Sequence, residues 1–390
     1  MMDYDELIDF DALYDSMLKC KKGVSWKPSV AHYVLNPLEE CIKLSEELKN
    51  GTYKAKEPRR FTVYTPKRRD IVSIAFRDRV YQRSLNDNAV YPAMVKSFIR
   101  ANCACQKGKG TGFARDLFAN MLRSFFRKYG LNGYVLQCDI HGYYPTLSHA
   151  LAEKTFERRL PPKTFKAVQT VIRQQYDGAN GFNPGSQMIQ IAGISVLNGM
   201  DHFIKEKLCC RYYVRYMDDF LILDPDLTRL EMAKANIGFY LAELGFEFNP
   251  KKTLIKSIDE PVNFLGFDYR LTATGKAVRN LVPENPKRER RRLVRQAHCG
   301  ANLENCYQGW RAHASKGNTY QIIKRMDKFY KEVSEMPKIV RPTQSIKDRV
   351  AAENAIAQSL KNEANIEFIA LMTDVELPDM TEEVSGNADA

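Results

Sequence analysis

The sequence predicts an α+β protein, a core sheet built from hairpins with helical lobes on either side. Three observations predict it. Strand-like apolar runs alternate with segments of helical periodicity. One such run, Arg211 to Asp224, is interrupted by the doublet Asp218-Asp219 and reads as a tight hairpin with the acidic pair at its tip. The stretch from Asn285 to about Glu335 is helical and basic, with no strand pattern in it.

The elements follow in order. Residues 1–56 read as helices; Asn36-Pro37 starts one, Leu38, Cys41, Ile42, Leu44 and Leu48 hold its spacing, and Asn50-Gly51 ends it. Residues 57–75 read as a short basic hairpin turning at Thr65 to Asp70, followed by helix from Arg77 to about Val95. A Gly/Lys loop, Lys107 to Gly112, precedes a helix from Phe113 to Tyr129. Next come a strand at 134–140, helices at 148–159 and 162–175, a loop from Gly178 to Gly185, and a long helix to about Leu208. The Asp-Asp hairpin leads into a helix from Leu227 to Gly245, and short strands lie between Phe246 and Phe267. A last helix is expected over Ser345 to Met372, and Asp374 to Ala390 has too little apolar content to pack.

The 390 residues are 44% hydrophobic, enough for two or three lobes with real cores, and carry a net charge of +12. From Thr343 onward three Lys/Arg face ten Asp/Glu, a balance of −7, which leaves +19 on residues 1–342. A basic body with an acidic tail points to a polyanionic partner. The nine cysteines include no CxxC pair and read as reduced cytosolic thiols rather than zinc ligands. The acidic N-terminus is not a signal peptide, and no apolar stretch approaches the roughly 20 residues that span a bilayer, so a cytoplasmic protein without membrane contact is expected.

The chemistry is in the carboxylates. Burying an unpaired carboxylate is expensive, so Asp218 and Asp219 amid strand residues call for a cation. One strand tip cannot clamp metal alone, and Tyr134-Val-Leu-Gln-Cys-Asp139-Ile140 supplies a second strand ending in Asp. Two Mg²⁺ ions, with Mn²⁺ as the alternative, suit such oxygen donors and serve phosphoryl transfer from a nucleotide. In that scheme Asp139 and Asp218 bridge the metals, Asp219 is a weaker ligand, and the Ile140 carbonyl completes a shell. An ordinary surface turn fits poorly, given apolar strands on both sides.

These letters resemble the reverse transcriptases of prokaryotes, from about residue 50 to 335. Asp139-Ile-His-Gly-Tyr-Tyr144 is similar to the family's first palm motif and Tyr216-Met217-Asp218-Asp219 to its catalytic hairpin. The resemblance implies a right-hand polymerase: an N-terminal helical region (1–56), fingers (57–133), palm (134–270), helical thumb (271–342) and an acidic C-terminal segment (343–390). It implies RNA-directed DNA synthesis on an RNA template with a DNA or RNA primer and dNTPs, with an accessory RNA-binding protein as a partner in some relatives. Residue by residue, Tyr144 falls on the steric gate against the 2′-hydroxyl, although a core aromatic is an equal reading of its type. Gly181 to Ala192 resembles the second palm motif, where Gly185 admits close backbone approach and Gln190 faces the template–dNTP region; Asn198 and Asp201 fit the pattern downstream. Lys67 and Arg69 match the fingers' triphosphate contacts, and Arg79 is either a phosphate contact or a partner for Asp78. Lys107 and Lys109 lie where the family places Lys-Gly-Thr beside template or nucleotide; the Gly-Lys-Ser/Thr end of an ATPase loop is missing. Lys252 matches the lysine that protonates pyrophosphate, with Lys251 a surface residue, and Gly266 sits in a segment like the primer grip. Lys287, Arg288, Arg290, Arg291, Arg292 and Arg295 crowd one helix over more than one face, which suits backbone phosphates. Trp310 reads as thumb motif or core alike.

Among relatives, the pattern is most similar to enzymes of diversity-generating retroelements and neighbouring prophage or antiphage-defence groups. Those of the first group usually carry Ser-Gln where this chain has Ile189-Gln190, and intron-type enzymes carry a Gln-Gly-Gly loop absent here. A non-catalytic RNA-binding scaffold would not need three costly carboxylates, and a palm-type RNA polymerase or primase is disfavoured by bulk at Tyr144.

Overall fold

A computed structural model describes residues 1–64, 68–182, 185–299 and 301–335. Lys67, the turn around it, the helix expected from Ser345 and the acidic end lie outside the described residues. The chain divides into two compact units: Met1–Val262 with Leu271–Ala277, and Asn263–Arg270 with the chain from Val278.

The first unit is organised on a four-stranded antiparallel sheet. Its strands are β3 (Tyr134–Asp139), β4 (Tyr212–Tyr216), β5 (Asp219–Asp224) and β6 (Leu254–Ser257), in the order β4-β5-β3-β6. The two central strands are almost wholly apolar because both faces are covered. Register is pinned by burial, since a one-residue slip would turn every side chain to the other face. It pairs Asp139 with Asp219 and Tyr216 with Asp219.

The helix Gln187–Val196 is buried on nearly every side, as its apolar sequence dictates. The N-terminal helices join the same core through Leu7, Leu13, Met17, Leu44 and Leu48. The helix read over 77–95 is continuous, with a π-helical turn at Asn86–Val90 between Phe76–Leu85 and Tyr91–Val95. The basic hairpin forms as β1 (Arg59–Val63) and β2 (Arg69–Ser73). All nine cysteines are free thiols, and among the described residues no helix is long and apolar enough to cross a membrane.

The second unit holds the helices Glu284–His298, Leu303–Ala314 and Tyr320–Ser334. A three-stranded sheet, β7 (Val262–Phe264), β8 (Phe267–Leu271) and β9 (Ala277–Leu281), precedes them. Sequence periodicity did not reveal β9, whose residues are neither strictly alternating nor continuously apolar.

Candidate active site

Three carboxylates meet where the central strands end. Asp139 closes β3 opposite Asp219, which opens β5, and Asp218 lies in the two-residue turn from β4. Burial pushes the Asp219 carboxyl up to about 7, helped by the Asp218 charge and a hydrogen bond shared with Asp139. Asp218 is raised chiefly by burial, against which its own backbone N–H works. Asp139 is wrapped by the segment after Phe248. Lys252 Nζ donates to its Oδ1 at 2.8 Å and Asn249 Nδ2 to its Oδ2 at 2.9 Å. Its backbone carbonyl accepts from Asn249 N at 2.7 Å. The bond to Asp139 holds the Lys252 ammonium charged.

Among the described residues no group of three His, Cys, Asp or Glu stands arranged to hold a metal ion. Lys252 is instead the counter-cation of Asp139. The donor set nevertheless fits a hard divalent ion. It offers three converging carboxylates, with Lys252 as the cation bonded to Asp139.

Tyr143 and Tyr144 follow Gly142, which is left-handed at φ 56°. Their roles separate by burial. Tyr143 is core, its hydroxyl donating to the Gly193 carbonyl at 2.5 Å. Tyr144 is half-buried, rests on Gly193, and keeps a hydroxyl with no hydrogen-bond partner. Gln190 is half-buried on the adjoining helix, and its Oε1 accepts from Cys105 Sγ at 3.5 Å. Cys105 also reaches Met217 Sδ at 3.8 Å, so Gln190 lies one side chain from the acidic turn.

Arg69 is exposed on β2. Arg79 is not the partner of Asp78, whose carboxylate accepts from Tyr53 Oη and Lys56 N. It lines a cleft of about 170 Å³ with Lys19, Gly185, Ser186 and Gln187. Its Nε is buried without a partner.

The candidate nucleic-acid contacts divide. Lys107 is exposed, with its ammonium over the Tyr91 ring. Lys109 is spent inside, donating to the carbonyls of Asn102 at 2.9 Å and Ile99 at 3.3 Å. In the second unit Gly266 takes φ +85° and is exposed, beside His313. On the helix Glu284–His298 the basic residues do not spread over all faces. Lys287, Arg288, Arg291 and Arg295 share one exposed face at helical spacing. Arg290 lies over the Phe329 ring, and Arg292 bonds Glu289 and the Cys306 carbonyl. Trp310 is core, with its indole N–H on Asn285.

Residues 57–269 match the family model described as reverse transcriptase (RNA-dependent DNA polymerase). The chain belongs to the reverse transcriptase family. It is thus an RNA-directed DNA polymerase, a nucleotidyltransferase acting on an RNA template and a primer. No curated protein matches the chain. Among solved structures it is similar to telomerase from Candida albicans in complex with a TWJ fragment of telomeric RNA, at 13% identity and a TM-score of 0.43, covering 88% of this chain and 71% of that one. That likeness is too distant to argue from.

Two parts of the reverse transcriptase site were not read from its sequence. Asn249 precedes the expected lysine pair, and only the turn back onto β3 shows that it grips Asp139. Arg215 is fully buried within β4 and forks onto Asp201, itself fully buried. A charge inside an apolar strand was the available signal, because such a residue needs a buried partner.

Proposed function

We propose that this reverse transcriptase extends a primer by two-metal phosphoryl transfer at Asp139, Asp218 and Asp219. The supporting observation is the strand register that sets Asp139 opposite Asp219, with Asp218 in the adjoining turn. Asp139, Asp218, Asp219 and the Ile140 carbonyl would hold two Mg²⁺ ions. When bound, such ions favour the deprotonated primer 3′-hydroxyl and neutralise the pyrophosphate. Lys252, bonded to Asp139 at 2.8 Å and held in its charged form by that bond, would be the proton donor to the leaving pyrophosphate. Tyr144 stands as the gate for deoxyribose, with Gln190 and Gly185 along the nascent base pair. Arg69, Arg79 and Lys67 serve the triphosphate. Lys107, Gly266 and the exposed face of Lys287, Arg288, Arg291 and Arg295 serve the template–primer.

In lobes, 57–133 act as fingers, 134–270 as palm and 271–342 as thumb. A place in a diversity-generating retroelement or prophage is the preferred setting, on the Phe61-Thr-Val-Tyr-Thr-Pro-Lys67 fingers and the Gly185-Ser186 loop. The Ile189-Gln190 departure leaves antiphage defence as the second reading.

Asp218→Asn is the decisive variant. Extension should fall by at least about a hundredfold, the scale of several kcal/mol of metal stabilisation, with RNA binding intact. Unchanged extension would discard the site. Tyr144→Ala should raise ribonucleotide incorporation relative to dNTP; an unaltered ratio would return Tyr144 to the core.

A further inference from the structure

The turn that carries Asp218 is anchored from beneath by one guanidinium. Met217 takes φ 59°, the first position of a two-residue hairpin turn, where glycine is the usual occupant. A residue with a β-carbon stays there only if its surroundings hold it. Arg215, two residues earlier and fully buried, does so. Its Nη1 donates to the Met217 carbonyl at 2.8 Å. Its Nε and Nη2 fork onto the two Asp201 oxygens at 2.6 and 2.5 Å, and Nη2 also reaches the Ile194 carbonyl at 3.2 Å. Tyr213 Oη donates to Asp201 Oδ1 at 2.6 Å. The Arg215 backbone is itself fixed, its N–H on Ala101 O and its carbonyl under Cys103 N, both at 2.9 Å.

Stability alone does not explain this arrangement. A buried ion pair is often no better than apolar residues of similar volume. What the fork adds is direction: one planar group links the Gln187–Val196 helix, Asp201 and the acidic turn. We propose that Arg215, oriented by Asp201, is a positioning residue of the polymerase, setting the Met217 backbone and hence the aim of the Asp218 and Asp219 carboxylates. It touches no substrate. The inference rests on reading those carboxylates as the metal-holding pair. Lysine cannot replace it, because a single ammonium lacks the fixed fork that spans Asp201 and Met217 together.

Three variants test this: Arg215→Lys, the apolar double Asp201→Leu with Arg215→Met, and Asp218→Asn as control. The double removes both charges and so leaves no unpaired charge in the core. Measured are melting, template–primer affinity, kcat, dNTP KM, and Mn²⁺ affinity without nucleotide from water-proton relaxation. Expected in both Arg215 variants are template–primer binding within about threefold of the parent, kcat lower by about a hundredfold, as for a misplaced reacting group, and Mn²⁺ affinity weakened about tenfold. A folded double variant with parental kcat and Mn²⁺ affinity overturns the inference. So does a kcat loss that only tracks the unfolded fraction while Mn²⁺ affinity holds. An active Asp218→Asn rejects the carboxylate reading itself; an inactive one beside a fully active double variant rejects only the role of Arg215.

Discussion

Gly193→Ala offers a sharp test of how Tyr144 is seated. A β-carbon built on Gly193 falls 2.8 Å from the Tyr144 hydroxyl oxygen, 3.1 Å from Cζ and 3.2 Å from Cε1. The ring must therefore shift by a few tenths of an ångström. Overpacking of this kind costs roughly 1–3 kcal/mol, and replacing a helical glycine by alanine returns up to about 1 kcal/mol. A net loss of about 0–2 kcal/mol is expected. Tyr144→Phe removes the closest contact and also a buried hydroxyl that has no partner. Alone it should be neutral or stabilising by up to about 1 kcal/mol. In that background Gly193→Ala should cost about 1 kcal/mol less than in the parent, a coupling within the range of touching residues. Denaturant midpoints of the four proteins give the cycle directly, and dNTP incorporation should follow the same order. Equal costs in both backgrounds would refute the contact, and with it the idea that Gly193 leaves room for the Tyr144 ring.

Two further outcomes follow from the charges. Arg291→Gln and Arg295→Gln should each weaken template–primer binding regardless of sequence and lower the salt slope by about 0.7–0.9, whereas Arg292→Gln, already bonded to Glu289, should leave the slope unchanged; equal slopes for all three would remove the exposed face from the interface. In metal-free protein the Asp219 carboxyl, raised from 3.8 to about 7, is protonated when folded but ionised when unfolded between those values. Its stabilisation is complete below about 3.8 and is lost as pH rises through about 7. Asp219→Asn should flatten that decline and divalent metal should offset it; a melting curve equally steep in the variant would refute the assignment.

The identity of the chemistry was legible early because it is carried by contiguous letters. Asp139 ends an apolar strand, and Asp218-Asp219 break another; strand periodicity and the cost of burying carboxylates suffice to pair them. Helix boundaries from 37 to 49 and 162 to 175 were equally plain, since proline openings and apolar spacing are local. The strand β9 was not, because its residues owe their conformation to pairing partners rather than to pattern.

Sequence alone therefore determined the α+β class and the polymerase family, both of them properties of local pattern, and it singled out the three carboxylates as candidates. Tertiary structure decided which neighbours each charge meets. Only packing shows that Asn249 and Lys252 close on Asp139, that Lys109 is spent on carbonyls, that one face of a crowded basic helix stays open, and that Arg215 holds the acidic turn. These contacts join residues up to 113 positions apart. A charge's worth depends on its dielectric and its partners, and the chain acquires both only when it folds.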